Sequence, residues 1–417
     1  MDEQATPGGQ IFRSLSKTPL TDKNILGEDY WSGESLVIEF LNSDIMFYNQ
    51  SSVWNVSDEQ EVFFTKEGVT QVVHYQTLIL ATGAIERTVP FSGWELPGVL
   101  TAGAGQILLK DAGTLVEDVV LVGSGPLLDV LANQYVQAGY PPKAIIDTTV
   151  SRNYISALSS TLSALKGWRY MLKGFKLKAN LYKAGIKRYY FAKDLTVSGA
   201  DQVETISFRS IKKQTLTASH VMVHFGVIPN INICHALGLK TQWDASQMCH
   251  RPVLNEQFLS TRKATYVIGD AQGISGAKAA QLNAQVAMAT ILQDSELKRE
   301  TEKQLRSDVA IRPFLEALFK IPPSQITTLP DDTVMCKCEA VKIKDIKQSF
   351  LTGSTSLNDL KVDTRCGMGA CQGRQCGNAL MLFSAAMNNQ PISEVEYYKI
   401  RTPIVPVTFK EMSETKY

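Results

Sequence analysis

The sequence predicts an α/β fold followed by a separate, cysteine-bearing C-terminal domain, on three observations. Short apolar runs stop at glycines in Thr77-Leu-Ile-Leu-Ala-Thr-Gly83, Asp118-Val-Val-Leu-Val-Gly123-Ser-Gly125 and Ala264-Thr-Tyr-Val-Ile-Gly269-Asp270. That is how buried parallel strands read. The second run is followed by a helix-like stretch, Leu127 to Ala138, and a further strand, Ala144-Ile-Ile-Asp147, which together make a βαβ unit. Finally, Cys336, Cys338, Cys366, Cys371 and Cys376 crowd one short region, and the other two cysteines, Cys234 and Cys249, lie upstream.

A chain of 417 residues is longer than a single core supports, so more than one domain is expected. With 44% hydrophobic residues, 20% charged residues and a net charge of +1, the composition is that of an ordinary globular protein. It carries no basic block of the kind that binds nucleic acid. No apolar run reaches the roughly 20 residues that cross a bilayer, and MDEQATPGGQ has neither a basic n-region nor an apolar h-region, so a cytoplasmic location is expected.

Other elements follow from local pattern. Ser35 to Phe40 and Glu61 to Thr65 read as small strands or hairpins between Gly, Asn and Ser. Ser151 to Tyr190 is rich in aromatics and lysine, a ligand-facing surface or, as favoured here, an amphipathic helix with a solvated basic face. Strands resume at Val203 to Phe208 and His220 to Phe225, and Gly226-Val-Ile-Pro-Asn230 interrupts them. A small-residue helix is expected over Gly276 to Thr290, a charged surface helix or linker over Glu296 to Arg306, and a boundary at Ile321 to Pro330.

Cys336-Lys-Cys338 and Cys371-Gln-Gly-Arg-Gln-Cys376 supply four thiolates from two loops, enough for one iron-sulfur cluster. Glycines 367, 369, 373 and 377 would let backbone N–H groups turn toward the sulfurs. Structural zinc is the alternative, although its cysteines are usually two to four residues apart and Cys336 and Cys338 are closer than that. Cys366 is expected to be a spectator, a small buried side chain. Gly123-Ser-Gly125-Pro-Leu-Leu128 places two glycines where a pyrophosphate would rest on a helix N-terminus, with Leu128 in place of the third glycine. Asp147 stands where ribose hydroxyls are read. Thr82-Gly83 and Gly269-Asp270, each after a strand, are further candidate cofactor contacts.

Taken together the motifs resemble the alpha subunits of bacterial flavin-dependent amine and amino-acid dehydrogenases: opine oxidase, hydroxyproline and proline dehydrogenases, hydrogen cyanide synthase and, more distantly, heterotetrameric sarcosine oxidase. The markers are Asp2-Glu-Gln-Ala-Thr-Pro-Gly-Gly-Gln-Ile-Phe-Arg13, Leu80-Ala-Thr-Gly-Ala-Ile-Glu-Arg87, Gly93-Trp-Glu-Leu-Pro-Gly-Val99, Thr101-Ala-Gly-Ala-Gly-Gln106, His224-Phe-Gly-Val-Ile-Pro-Asn230, Val267-Ile-Gly-Asp270 and Gly367-Met-Gly-Ala-Cys-Gln-Gly-Arg-Gln-Cys376. The last is similar to bacterioferritin-associated ferredoxin, whose Cys-x-Cys and Cys-x4-Cys pairs hold a 2Fe-2S cluster.

The resemblance implies an α/β two-dinucleotide-binding-domain flavoprotein, pyridine nucleotide-disulfide oxidoreductase-like, with a small C-terminal helical 2Fe-2S domain. Its implied divisions are an FAD-type fold over 1–112, a second dinucleotide-binding domain over 113–225, return to the first fold over 226–300, a linker over 301–330, the cluster domain over 331–385 and a tail over 386–417. It also implies FAD contacts at Glu3, Gly8, Gly9, Gln10, Thr82, Gly83, Gly269 and Asp270, and NAD(P) or ATP contacts at Gly123, Gly125 and Asp147. An FMN at a subunit interface and a D-amino-acid-oxidase-like beta subunit that holds the substrate site complete the implied assembly.

One departure is clear. In the family a strand, a GxGxxG turn and a helix precede Asp2, and here they are missing. The expectation is that Met1 is an internal methionine, that the natural chain is longer by about 30 residues, and that FAD binding depends on that unit. Two rival readings are a stand-alone NAD(P)H-dependent reductase that feeds its own cluster, and an iron-sulfur module without catalysis. The first is disfavoured because no redox-active Cys-x-x-Cys stands beside the first fold.

Overall fold

The computed structural model describes residues 1–415. Its central element is a five-stranded parallel sheet with the order Val99–Thr101, His220–His224, Val119–Gly123, Ala144–Asp147, Lys187–Tyr189. The middle strands are buried on both faces, which is why Val119 to Val122 and Ala144 to Ile146 read as unbroken apolar runs. Pro126–Gln137 is the crossover helix of the expected βαβ unit, with proline in its first turn, where no N–H is needed. It packs Leu128, Leu131 and Tyr135 into one core with Leu121 and Ile145.

The first fold is built around the parallel pair Leu78–Leu80 and Thr265–Val267, with an antiparallel meander of Ser52–Val56, Glu61–Lys66 and Val69–His74. Chain segments from both sides of the central sheet therefore share it, so it is discontinuous in sequence. The segment from Asp2 forms no named strand. It is tied to Tyr48–Ser51 by Asp2 N–H to the Tyr48 carbonyl at 2.9 Å and Ser51 N–H to the Asp2 carbonyl at 2.9 Å. Further on, the Lys110 ammonium of helix Ala102–Ala112 donates to the carbonyls of Gln10 and Ile11 at 3.0 Å each. Burial, helped by Arg13, pushes the Lys110 amine down to about 8.

Two expectations change. Ser35 to Phe40 is not a strand but the helix Glu34–Leu41, whose Val37 packs with Phe12, Leu15, Leu26, Tyr30 and Leu109. The break at Gly226 is brief, because Val227–Pro229 pairs antiparallel with Ala84–Glu86. The aromatic and lysine-rich stretch is helical, as Ser151–Leu158, Thr161–Lys166 and Trp168–Lys183. Besides its lysines it exposes Trp168, Leu172, Phe175 and Tyr182, all on one side of the last helix. Glu296 to Arg306 lies in the helix Ser295–Asp308.

Beyond Pro330, a two-stranded ladder, Val334–Cys336 with Val341–Lys342, leads into helices Ile343–Leu351, Leu357–Thr364 and Gly377–Met387. This domain is fastened to the first fold by the Trp94 indole N–H on the Val334 carbonyl at 2.6 Å, with Lys337 over the Trp94 ring, and by Asn232 on the Gln372 carbonyl at 2.9 Å. The stretch up to residue 404 packs on this domain, with Tyr398, Ile400 and Ile404 buried in the same core. Among the described residues no helix is long and apolar enough to cross a membrane.

Gly123 shows how tightly the sheet edge is built. Its φ is +130°, and a Cβ there would strike the backbone carbonyl of His224 on the adjacent strand. Backbone cannot step aside as a side-chain tip can. Gly123→Ala is expected to destabilise the protein by about 2–3 kcal/mol in chemical denaturation.

Candidate cofactor and cysteine sites

Parallel pairing sets the first candidate site. Leu80 is in register with Val267, so Thr82-Gly83 and Gly269-Asp270 leave the sheet at the same carboxyl edge, where open α/β sheets bind ligands. The Thr82 hydroxyl donates to the Asn230 carbonyl at 2.6 Å, and Asn230 N–H to the Gly83 carbonyl at 2.9 Å, so this turn is a crossing of two chain segments. Gly83 and Gly269 have φ of +65° and +62°. One oxygen of Asp270 accepts the N–H groups of Ser275 and Gly276 at 2.8 and 3.0 Å, ordering the entry to helix Ala277–Ile291.

Glu3, Gly8, Gly9 and Gln10 lie in the turns of the first segment. The positive φ of Gly8 (+125°) and Gly9 (+55°) reverses the chain there. Burial lowers Arg374 in the cysteine loop, and the charges of Cys371 and Glu3 oppose that.

At the second fold, Gly123 is in register with Asp147, and Gly125 stands at the N-terminus of helix Pro126–Gln137 with φ +117°. The carboxylate of Asp147 is already engaged. One oxygen accepts the Thr149 N–H at 3.0 Å and the other the Arg188 guanidinium at 2.9 Å. Arg188 also bonds to Asp129, so a single buried cation bridges two buried carboxylates. Burial pushes Asp129 up, and Arg188 opposes that rise. Beside Gly125 lies the ring of His224, whose Nδ1 is 2.8 Å from Glu86, and the other Glu86 oxygen accepts the Gly103 N–H at 2.8 Å.

The cysteines fall into two groups. The Sγ atoms of Cys336, Cys366 and Cys376 all lie within 4.8 Å of one another, and all three residues are buried. Cys338, exposed, is hydrogen-bonded to Cys371, which is half-buried. Hydrogen bonds first from the Cys366 thiol and then from Cys376 hold Cys336 far below an ordinary thiol, and the N–H groups of Gly367 and Glu339 add to this. The same bonds push Cys366 and Cys376 up.

The glycines of this loop have separate reasons. Gly369 faces the Cys338 side chain, Gly367 and Gly373 lie against the Tyr398 ring, and Gly377 meets Tyr397. Arg374 donates to the Cys371 carbonyl at 3.2 Å.

The structure thus gathers Cys336 and Cys376 with Cys366, to which its place in the sequence gave no such role, and pairs Cys338 with Cys371. Arg188, Arg374, Tyr397 and Tyr398 also carried no sequence signal as site residues. Only the Cys-Gln-Gly-Arg-Gln-Cys loop could have suggested Arg374.

Comparison with known proteins agrees with this architecture. Residues 14–289 match the family model described as pyridine nucleotide-disulphide oxidoreductase, and residues 333–416 match the sarcosine oxidase A3 domain. An opine oxidase subunit from Rhizobium meliloti is 34% identical, over 99% of this chain and 82% of the relative. Hydrogen cyanide synthase subunit HcnB of Pseudomonas aeruginosa is 27% identical, over 98% and 91%. Among solved structures, L-proline dehydrogenase from P. horikoshii superposes with a TM-score of 0.71 at 18% identity, over 98% of this chain and 72% of that one, a likeness of fold. The chain belongs to the pyridine nucleotide-disulphide oxidoreductase family, within the oxidoreductase lineage that includes this opine oxidase component.

Proposed function

We propose that this chain is the electron-transfer and scaffold subunit of a multi-subunit FAD-dependent dehydrogenase that oxidises a secondary amine or amino acid of the opine, proline or hydroxyproline class. The substrate site would lie in a D-amino-acid-oxidase-like partner. The single observation that carries this reading is the buried trio Cys336, Cys366 and Cys376 with the Cys338–Cys371 pair, in a domain that follows a two-dinucleotide fold.

The thiols fit a 2Fe-2S cluster by their own arrangement. Such a cluster takes two thiolates at each iron, and the chain offers an inner pair, Cys336 and Cys376, and an outer pair, Cys338 and Cys371. A single tetrahedral zinc would likewise take four of the five sulfurs, so metal and sulfide content separates the two. When bound, the cluster supplies one-electron transfer. The chain's own contribution is placement: Gly367 and Glu339 aim N–H groups at Cys336, and Tyr397 and Tyr398 exclude water from the inner pair. Thr82, Gly83, Gly269 and Asp270, with the Glu3 to Gln10 segment, are the proposed FAD contacts, and Gly123 and Gly125 the proposed phosphate contacts for NAD(P) or ATP in the second fold. An FMN between subunits belongs to the same reading.

A partner is supported by the apolar side of helix Trp168–Lys183, whose exposed Trp168, Leu172, Phe175 and Tyr182 are of the kind that subunit contacts cover. Thr149 and Arg188 each take one acceptor site of Asp147, which leaves sites for a ribose hydroxyl, so activity rather than this carboxylate separates the stand-alone NAD(P)H reductase from the favoured reading.

Co-expression with a D-amino-acid-oxidase-like beta subunit tests the proposal. A stable complex is expected that reduces an artificial acceptor with one of these amines, while the isolated chain shows no rapid NAD(P)H oxidation. Robust NAD(P)H turnover by the chain alone would replace this reading with the reductase.

A further inference from the structure

We propose that Cys366 is a reserve cluster ligand, able to take the place of Cys376 at the inner iron, an inference that rests on the cluster reading above. Cys366 is fully buried, yet it is not placed as a space-filling apolar side chain would be. Its Sγ lies within 4.8 Å of the sulfurs of both inner ligands and hydrogen-bonds to both. Two thiolates on one tetrahedral ion sit about 3.8 Å apart, the separation that metal–sulfur bonds of about 2.3 Å impose. A shift of about 1 Å or less, or a rotation about χ1, brings Cys366 to a ligand position.

The backbone holds it there. Arg365 ends helix Leu357–Thr364 in the left-handed conformation, and the Cys366 N–H is capped by the Thr364 hydroxyl at 3.2 Å. Gly367, at φ +89°, then turns the chain so that its own N–H meets Cys336. Cys366 is thereby fixed over the inner pair, while Cys371 belongs with Cys338. The reserve is therefore selective, covering an inner position and not an outer one. The exchange is a ligand substitution: one iron–sulfur bond to Cys366 forms where that to residue 376 is lost, the Cys366 proton leaves to solvent, and no electrons are transferred.

Iron and acid-labile sulfide, read with the electron paramagnetic resonance of the reduced protein, test this on the full chain. Cys376→Ala is expected to keep at least about half the wild-type iron and sulfide, with an altered resonance, while Cys376→Ala/Cys366→Ala falls below about a tenth. Equal emptiness of the single and double variants, both folded by circular dichroism, would overturn the proposal. If Cys376→Ala does not fold, Cys376→Ser preserves the side-chain volume and is read the same way. A further loss on adding Cys366→Ala supports the reserve, and no further loss refutes it. A wild-type chain without iron and sulfide removes the cluster reading itself, and this inference with it.

Discussion

Cys371→Ala is expected to empty the cysteine site, taking bound iron and sulfide below about a tenth of the wild-type content while the fold survives. Cys371 is the partner of Cys338 in the outer pair, and the remaining thiols, Cys336, Cys366 and Cys376, are gathered on the inner side. With one outer sulfur gone, the outer iron keeps a single thiolate and no thiol stands in reserve. The side chain is half-buried and small, so its loss opens little cavity, and the variant should melt within a few degrees of the wild-type chain stripped of its metal. Metal analysis together with melting separates loss of the cluster from loss of the fold.

The second large effect is structural. Arg188→Met leaves Asp129 and Asp147 buried without the cation that bridges them, and removing one partner of a buried ionic group typically costs about 3–5 kcal/mol. The carboxylate side chains are 10% and 8% exposed, so solvent screening offers little relief. A pH dependence should follow. Burial already raises Asp129, and without Arg188 only the charge of Lys178 opposes that rise. The folded variant then binds more protons than the unfolded chain, so its stability increases as pH falls through the raised carboxyl range. Wild-type and variant denaturation curves should lie farthest apart at about pH 8 and draw together toward about pH 5. A constant gap would mean that Asp129 does not titrate in the variant.

What could be read from the sequence was what is encoded locally. The buried strands Val119–Gly123, Ala144–Asp147 and Thr265–Val267 stand where their apolar runs end in glycine or acid, because a parallel strand needs both faces covered and a turn at its carboxyl end. Ser35 to Phe40 misled because a short, largely apolar run fits either period, and the packing of Val37 with Phe12 decides for helix. Asp147 was visible at a strand end, but its partner Arg188 lies 41 residues further on and is brought in only by the adjacent strand Lys187–Tyr189. Cys366 was set aside for a similar reason. Spacing counts cysteines, and only the left-handed turn at Arg365 decides where that side chain points.

The most direct test of the cluster is the metal content of the chain purified without oxygen, either alone or with its partner. About two iron and two acid-labile sulfide per chain are expected, with a reducible visible and paramagnetic signature. One zinc per chain with no sulfide would contradict the assignment.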